Sequence, residues 1–203
     1  MAVTGGFWYR GLRAAQHEEI FTPFRALIKS ILPARIIEMG SDRCGLCLIM
    51  RDLLDEAGMV NSEVFACDFN KDTTEIFNRD IGPMEQSKRI EYNELNFWVN
   101  GQLNPLIINH IQRPGPTILL CDGGDKPREF NAAANFLKIG DVIMAHDYAP
   151  DNGYFQAHIN NKIWNWHETW DAQIASAYTR CNLKPYMAEE FRQVVWVCAR
   201  KEN

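Results

Sequence analysis

Apolar positions along this chain recur with two different periods. Over residues 16–32, Ile20, Phe24, Leu27, Ile28 and Ile31 share one helical face, and Pro33 stops the pattern. A short apolar stretch at 36–39 then reads as a strand. The same alternation continues. Helices are predicted over 47–57, 71–79, 103–111 and 128–137, and strands over 64–67, 89–92, 117–121, 142–145 and 193–199. Several strands are continuous apolar runs, as expected when both faces of a sheet are covered. The pattern predicts one α/β domain over residues 1–203 around a mostly parallel sheet. Residues 1–33 form an N-terminal helical extension and residues 149–185 a helical insertion. Within the Trp-rich stretch 154–170, Ile163, Trp166, His167, Trp170 and, just beyond it, Ile174 fall on one helical face, for which core packing is the default reading.

Four apolar strands end in acid: Glu38, Asp68, Asp122 and Asp147. In open α/β sheets the ligand crevice lies at the carboxyl ends of the strands. Four carboxylates at one edge need cations, hydroxyls or a metal to balance them. A single strand-terminal Asp is more often a turn or helix cap, so it is the recurrence that points to a site.

The first of these strands leads into Glu38-Met39-Gly40-Ser41-Asp42-Arg43-Cys44-Gly45. Strand, tight turn and helix start together form a nucleotide-type ligand site. Gly40 allows a close backbone approach, and Gly45 lets the next helix pack near the ligand. A P-loop is excluded because no Gly-Lys-Ser/Thr follows, and Asp42 stands where a dinucleotide motif needs its second glycine. Glu38 would repel a pyrophosphate but suits a cationic amino group or ribose hydroxyls, which points to S-adenosylmethionine rather than ATP or NAD. Asp68 suits a ribose, with helix capping as its alternative.

Composition narrows this further. The chain has 203 residues, 46% hydrophobic and 23% charged, with a formal net charge of -5. That balance argues against a nucleic-acid partner. No run approaches a membrane span, and the N-terminus carries no signal-peptide pattern. Of six cysteines, Cys67, Cys121 and Cys198 lie in predicted buried strands. Cys44 and Cys47 form a lone C-x-x-C without the second pair a zinc site needs. Reduced thiols in a cytoplasmic protein are expected.

Two further clusters carry chemistry. In Asp122-Gly123-Gly124-Asp125-Lys126, the two aspartates could bind a hard cation or orient a hydroxyl, and Lys126 could lower a hydroxyl pKa. Asp125 equally reads as a helix cap. In His146-Asp147-Tyr148, the residues offer metal ligands, a general base and a phenol.

These residues resemble a class I S-adenosylmethionine-dependent methyltransferase. The resemblance is strongest to the group holding cephalosporin-hydroxylase-type proteins and the rhamnosyl and macrocin-type sugar O-methyltransferases. It spans roughly residues 16–148 and the final strand. Glu38 through Gly45 matches the group's first motif, E-x-G-(S/T)-x-x-x-G, and the segment with Gln16-His17-Glu18-Glu19 before it also fits. The resemblance implies a three-layer Rossmann-like fold, with a seven-stranded sheet whose last strand is antiparallel. It implies S-adenosyl-L-methionine held by Glu38, Gly40, Ser41, Gly45, Asp68, Asn96 and Asp122. It further implies Mg²⁺ or another divalent cation at Asp122, His146 and Asp147, with Asp122, Asp125, Lys126 and His146 as catalytic candidates. The implied reaction is O-methylation of a small-molecule or sugar hydroxyl, with the 149–185 insertion on the substrate side. A metal-independent transferase and a non-catalytic S-adenosyl-ligand-binding module remain as alternatives, and homo-oligomerisation is left open.

Overall fold

A computed structural model of the chain describes residues 5–84 and 89–203. Its first elements are a two-stranded ribbon, β1 (Phe7–Tyr9) and β2 (Leu12–Ala14), where a helical extension was expected. The signal for it is local. Arg10 and Gly11 both take positive φ (49° and 85°), the geometry of a two-residue hairpin turn. A second ribbon, β6 (Trp98–Val99) with β7 (Gln102–Leu103), turns through Asn100-Gly101 in the same way. Helix α1 (Phe21–Ile31) is shorter than its apolar period suggests, because a 3₁₀ turn, Glu18–Ile20, leads into it. It ends where Leu32 turns left-handed (φ 51°) and its amide reaches the Ile28 carbonyl.

The centre is one seven-stranded sheet. Its strands in chain order are β3 (Arg35–Met39), β4 (Glu63–Asp68), β5 (Ile90–Glu94), β8 (Thr117–Cys121), β9 (Val142–Ala145), β10 (Leu183–Pro185) and β11 (Val197–Lys201). Across the sheet they lie β10-β11-β9-β8-β3-β4-β5. The strands β5, β4, β3, β8 and β9 run parallel, and β11 is antiparallel between β9 and β10. This is the three-layer Rossmann-like arrangement expected above, with the last strand reversed.

The connecting helices are α2 (Gly45–Glu56), α3 (Lys71–Ile76), α4 (Pro105–Gln112), α5 (Lys126–Ala133), α6 (Asn152–Tyr154), α7 (Asp171–Arg180) and α8 (Ala188–Arg192). They cover both faces of the sheet, which explains its continuous apolar strands. Ile36, Ile118, Leu120 and Met144 join one core with α1 and α2. Their neighbours Ile37, Leu119, Cys121 and Ile143 join another with α4, α5 and α7. Each such buried aliphatic side chain contributes about 1.5–3 kcal/mol.

Two apolar stretches fold otherwise than their patterns predict. The last strand begins at Val197, not 193. Val194, Val195 and Trp196 are fully buried, but they form a turn in which Val195 has φ 57°. Their hydrophobicity reflects burial, with Trp196 edge-on to Phe24 at 5.8 Å. The supposed helical face from Ile163 to Ile174 does not exist either. A short π-helix, Phe155–Ile159, gives way to irregular chain, Trp166 is 61% exposed, and helix resumes only at Asp171. All six cysteines are buried and free, Cys44 and Cys47 included. No described helix is long and apolar enough to cross a membrane.

Candidate active site

Strand register sets the site. Met39 pairs with both Cys67 and Cys121, and Cys121 pairs with Ala145. The next residues, Gly40, Asp68, Asp122 and His146, therefore line up along one edge. Glu38 lies two residues inside it, opposite Ala66 and Leu120.

The turn after β3 is built from backbone. At Gly40 (φ 92°), a side-chain carbon would lie 2.5 Å from Gly123 Cα and closer still to the Asp122 carbonyl oxygen. Only glycine lets the β3 and β8 ends pass this closely. The Gly40 amide donates to the Cys67 carbonyl (2.9 Å), and the buried Ser41 hydroxyl lies 3.4 Å from the same oxygen. Asp42 and Cys44 also take positive φ. Asp68 holds this loop, since its carboxylate accepts the amides of Asp42 (2.9 Å) and Asn70 (2.8 Å). Gly45 also has a packing role that its motif does not suggest. Its open face meets the backbone of Arg13 and Ala14, so it seats the N-terminal ribbon on α2.

Glu38 is 1% exposed, and its Oε2 has no hydrogen-bond partner among the described residues. Burial pushes its pKa well above the usual carboxylate range, and Asp122 adds to the shift. A buried carboxyl with one oxygen unpartnered, next to the carboxyl-end edge of the sheet, fits a ligand that brings a donor or a positive charge. Asn96, the expected adenine-side residue, is exposed, and its side chain accepts the Trp98 amide at 2.9 Å. Phe69, just after Asp68, is 64% exposed with its ring edge-on to Phe97.

On the other side of the edge the site is made of charges. Lys126, 6% exposed, places its ammonium 2.9 Å from Asp147 Oδ2, 2.6 Å from Glu168 Oε2 and 3.8 Å from Asp122 Oδ1. Burial disfavours its charge, but Asp122, Asp147 and Glu168 outweigh that and hold it protonated. His146, 2% exposed, donates through Nδ1 to Asp122 Oδ1 at 3.1 Å, with Asp147 Oδ1 at 3.6 Å. Its ring stacks on Trp196 (4.8 Å), and Nε2 has no partner among the described residues. Burial works against the imidazolium, yet Asp147 and Asp122 raise its pKa on balance. Burial drives Asp122 upward, only partly offset by His146 and Lys126. Asp147 moves the other way. Burial opposes its ionisation, but His146, Lys126 and the Trp164 indole, which donates to Oδ1 at 2.6 Å, bring it below its usual value. Asp147 sits at φ 53°, held there as its carbonyl accepts the amides of Glu168 and Thr169.

Several participants escaped the sequence reading, Trp164 and Trp196 among them. Gln16 donates to Asp122 Oδ2 at 2.7 Å and accepts the Trp196 indole at 2.9 Å. Glu168 is the third carboxylate on Lys126. Glu129, 1% exposed, accepts the amides of Gly123 (3.1 Å) and Asp125 (3.2 Å), and burial lifts its pKa to about 7. Glu129 alone had a local signal, three residues after Lys126 at a helix start. Asp125 is brought to the site's margin only. It is exposed and caps α5 by accepting the Arg128 amide at 3.3 Å.

This is the class I methyltransferase fold. It is similar to that of CmcI, whose apo structure superposes with a TM-score of 0.69 at 17% identity, over 97% of this chain and 76% of that one. A CmcI complex with Mg and SAM gives 0.68 at 16%, over 97% and 77%. The O-methyltransferase TomG from Streptomyces achromogenes, in complex with SAM, gives 0.53 at 11%, over 90% and 79%. No protein-family model and no curated protein matches the chain.

A divalent ion can be tested against the donor set. One ligand atom each from Asp122, His146 and Asp147 lies within 4.8 Å of the others. Yet every carboxylate oxygen of the two aspartates already has a donor: His146 and Gln16 on Asp122, Trp164 and Lys126 on Asp147. As arranged, the residues fit an ammonium ion and not a divalent one.

Proposed function

We propose that this chain is an S-adenosylmethionine-dependent methyltransferase that acts on a hydroxyl group of a small molecule or sugar. The observation that carries this reading is Glu38, a buried carboxyl whose Oε2 has no hydrogen-bond partner among the described residues, at the crossing of β3 and β8. In the class I fold, that crossing is where a nucleoside ligand enters. Glu38 takes the ligand's amino group. The 40–45 loop, fixed by Asp68, cradles the methionine and ribose portions, with Asp68 facing the ribose hydroxyls. Phe69 and Asn96 flank the adenine.

The chemistry is an in-line displacement. The acceptor oxygen bonds to the methyl carbon, and the sulfur–carbon bond breaks with its electron pair left on sulfur. The hydroxyl proton passes to His146 Nε2, the imidazole being oriented by its Nδ1 bond to Asp122. The protein's main task is alignment and exclusion of water. Lys126 stays charged throughout and so cannot be the base, and Asp125 lies outside the charged cluster.

A second reading, metal-assisted transfer at Asp122, His146 and Asp147, is favoured by the spacing of those ligand atoms and requires Lys126 to withdraw. Isothermal titration with S-adenosylhomocysteine tests the proposal. Saturable binding lost in Glu38→Ala and Asp68→Ala supports it, and absence of binding to the intact chain overturns it. Binding without turnover on a broad panel of hydroxyl acceptors would leave a ligand-binding module instead.

A further inference from the structure

We infer that Lys126 is the resident cation of this site, an ammonium built into the chain where a divalent ion would have to bridge Asp122 and Asp147. The inference rests on the methyl-transfer reading for its chemical purpose but not for its geometry. An ammonium has three protons to give. Those of Lys126 go to Asp147 Oδ2 (2.9 Å), Glu168 Oε2 (2.6 Å) and the Gly123 carbonyl (3.1 Å), leaving none unsatisfied. Asp122 Oδ1, at 3.8 Å, completes an anionic shell of three carboxylates from three separate segments.

The placement of Lys126 is costly on local grounds. It is the first residue of α5, where the helix dipole favours anions and disfavours cations. It is also buried to 6% exposure, where an unpaired ammonium would be strongly penalised. Pro127 follows and fixes the start of the helix. A lysine kept here against both effects is held by the carboxylates, and it neutralises them in return. A divalent ion entering the same shell would meet this ammonium within contact range and the His146 proton on Asp122. With Lys126 in place, the electrostatic help offered to a developing alkoxide comes from an ammonium that neither gains nor loses a proton.

Manganese titration of the full chain, followed by electron paramagnetic resonance in the presence of S-adenosylhomocysteine, tests this. The intact chain is expected to show no saturable site in the micromolar range. Lys126→Met is expected to gain one, at least ~10-fold tighter, equivalent to ~1.4 kcal/mol. Adding Asp147→Asn to Lys126→Met is expected to remove it again. A gain of binding cannot be mimicked by misfolding. Glu168→Gln, which keeps the ammonium, serves as a second variant and is expected to gain nothing. Micromolar Mn²⁺ binding by the intact chain would overturn the inference, as would a folded Lys126→Met protein that gains no site. Failure to bind S-adenosylhomocysteine overturns the methyl-transfer reading alone, because the manganese result is read independently of it.

Discussion

The two halves of the site's edge are built by opposite means. Around Gly40 the structure is local, with Asp68 binding amides two and twenty-six residues away and the ligand loop shaped by backbone torsions. Around Lys126 it is assembled from Gln16, Asp122, His146, Asp147, Trp164, Glu168 and Trp196, and almost every bond joins charged or polar side chains. The first half leaves Glu38 Oε2 without a partner among the described residues, and the second pairs nearly everything except His146 Nε2. On the proposed reading, the difference separates two tasks. A bound cofactor needs a preformed cradle with an open valence, whereas a reacting hydroxyl needs a fixed field that does not reorganise.

If that division is right, damage to the two halves should read out differently. The largest effect is expected from Gly40→Ala. Its side chain overlaps the β8 turn and its φ is unfavourable for alanine, so stability should fall by about 3 kcal/mol or more. Thermal unfolding and S-adenosylhomocysteine titration would both register it, and a stable variant with native affinity would refute the cradle geometry.

His146→Asn should act on the other half alone. Turnover is expected to drop ~10²–10⁴-fold, with S-adenosylhomocysteine affinity unchanged within about threefold. Equal losses in both measurements would show that the halves are not separable.

The smallest effect concerns Glu129, which holds the loop between them. Its folded pKa of about 7 lies above the ordinary 4.5, so the folded chain binds this proton more tightly than the unfolded one. The stability this contributes is complete below 4.5 and is lost as pH rises through about 7. Glu129→Gln should flatten that part of a melting-temperature profile, by ~2–4 °C for each ~1 kcal/mol.

The same contrast governs what could be read from sequence. The strand–turn–helix from Glu38 to Gly45 was legible because its pattern is contiguous, and β8 and β9 because buried parallel strands are unbroken apolar runs. Gln16, Trp164 and Glu168 were not, since nothing in their neighbours specifies contacts 106, 17 and 42 residues away. The turn at 194–196 misled because burial and strand formation select the same apolar residues. The ribbons at Arg10-Gly11 and Asn100-Gly101 were readable and were overlooked: the dipeptides carry the turn, but strands of two or three residues are too short for alternation to show.

The bond between Gln16 and Trp196 spans 180 positions. A ribosome adding ~5–20 residues per second makes the second partner roughly 10–40 s after the first. Once Gly123 is made, every segment packed around Gly40 is present, while the turn carrying Trp196 does not yet exist. Gln16, which donates to Asp122, therefore cannot be fixed by the Trp196 indole until synthesis has nearly finished. On the proposed reading, a nascent chain completes the segments of the cofactor cradle before those of the charged cluster.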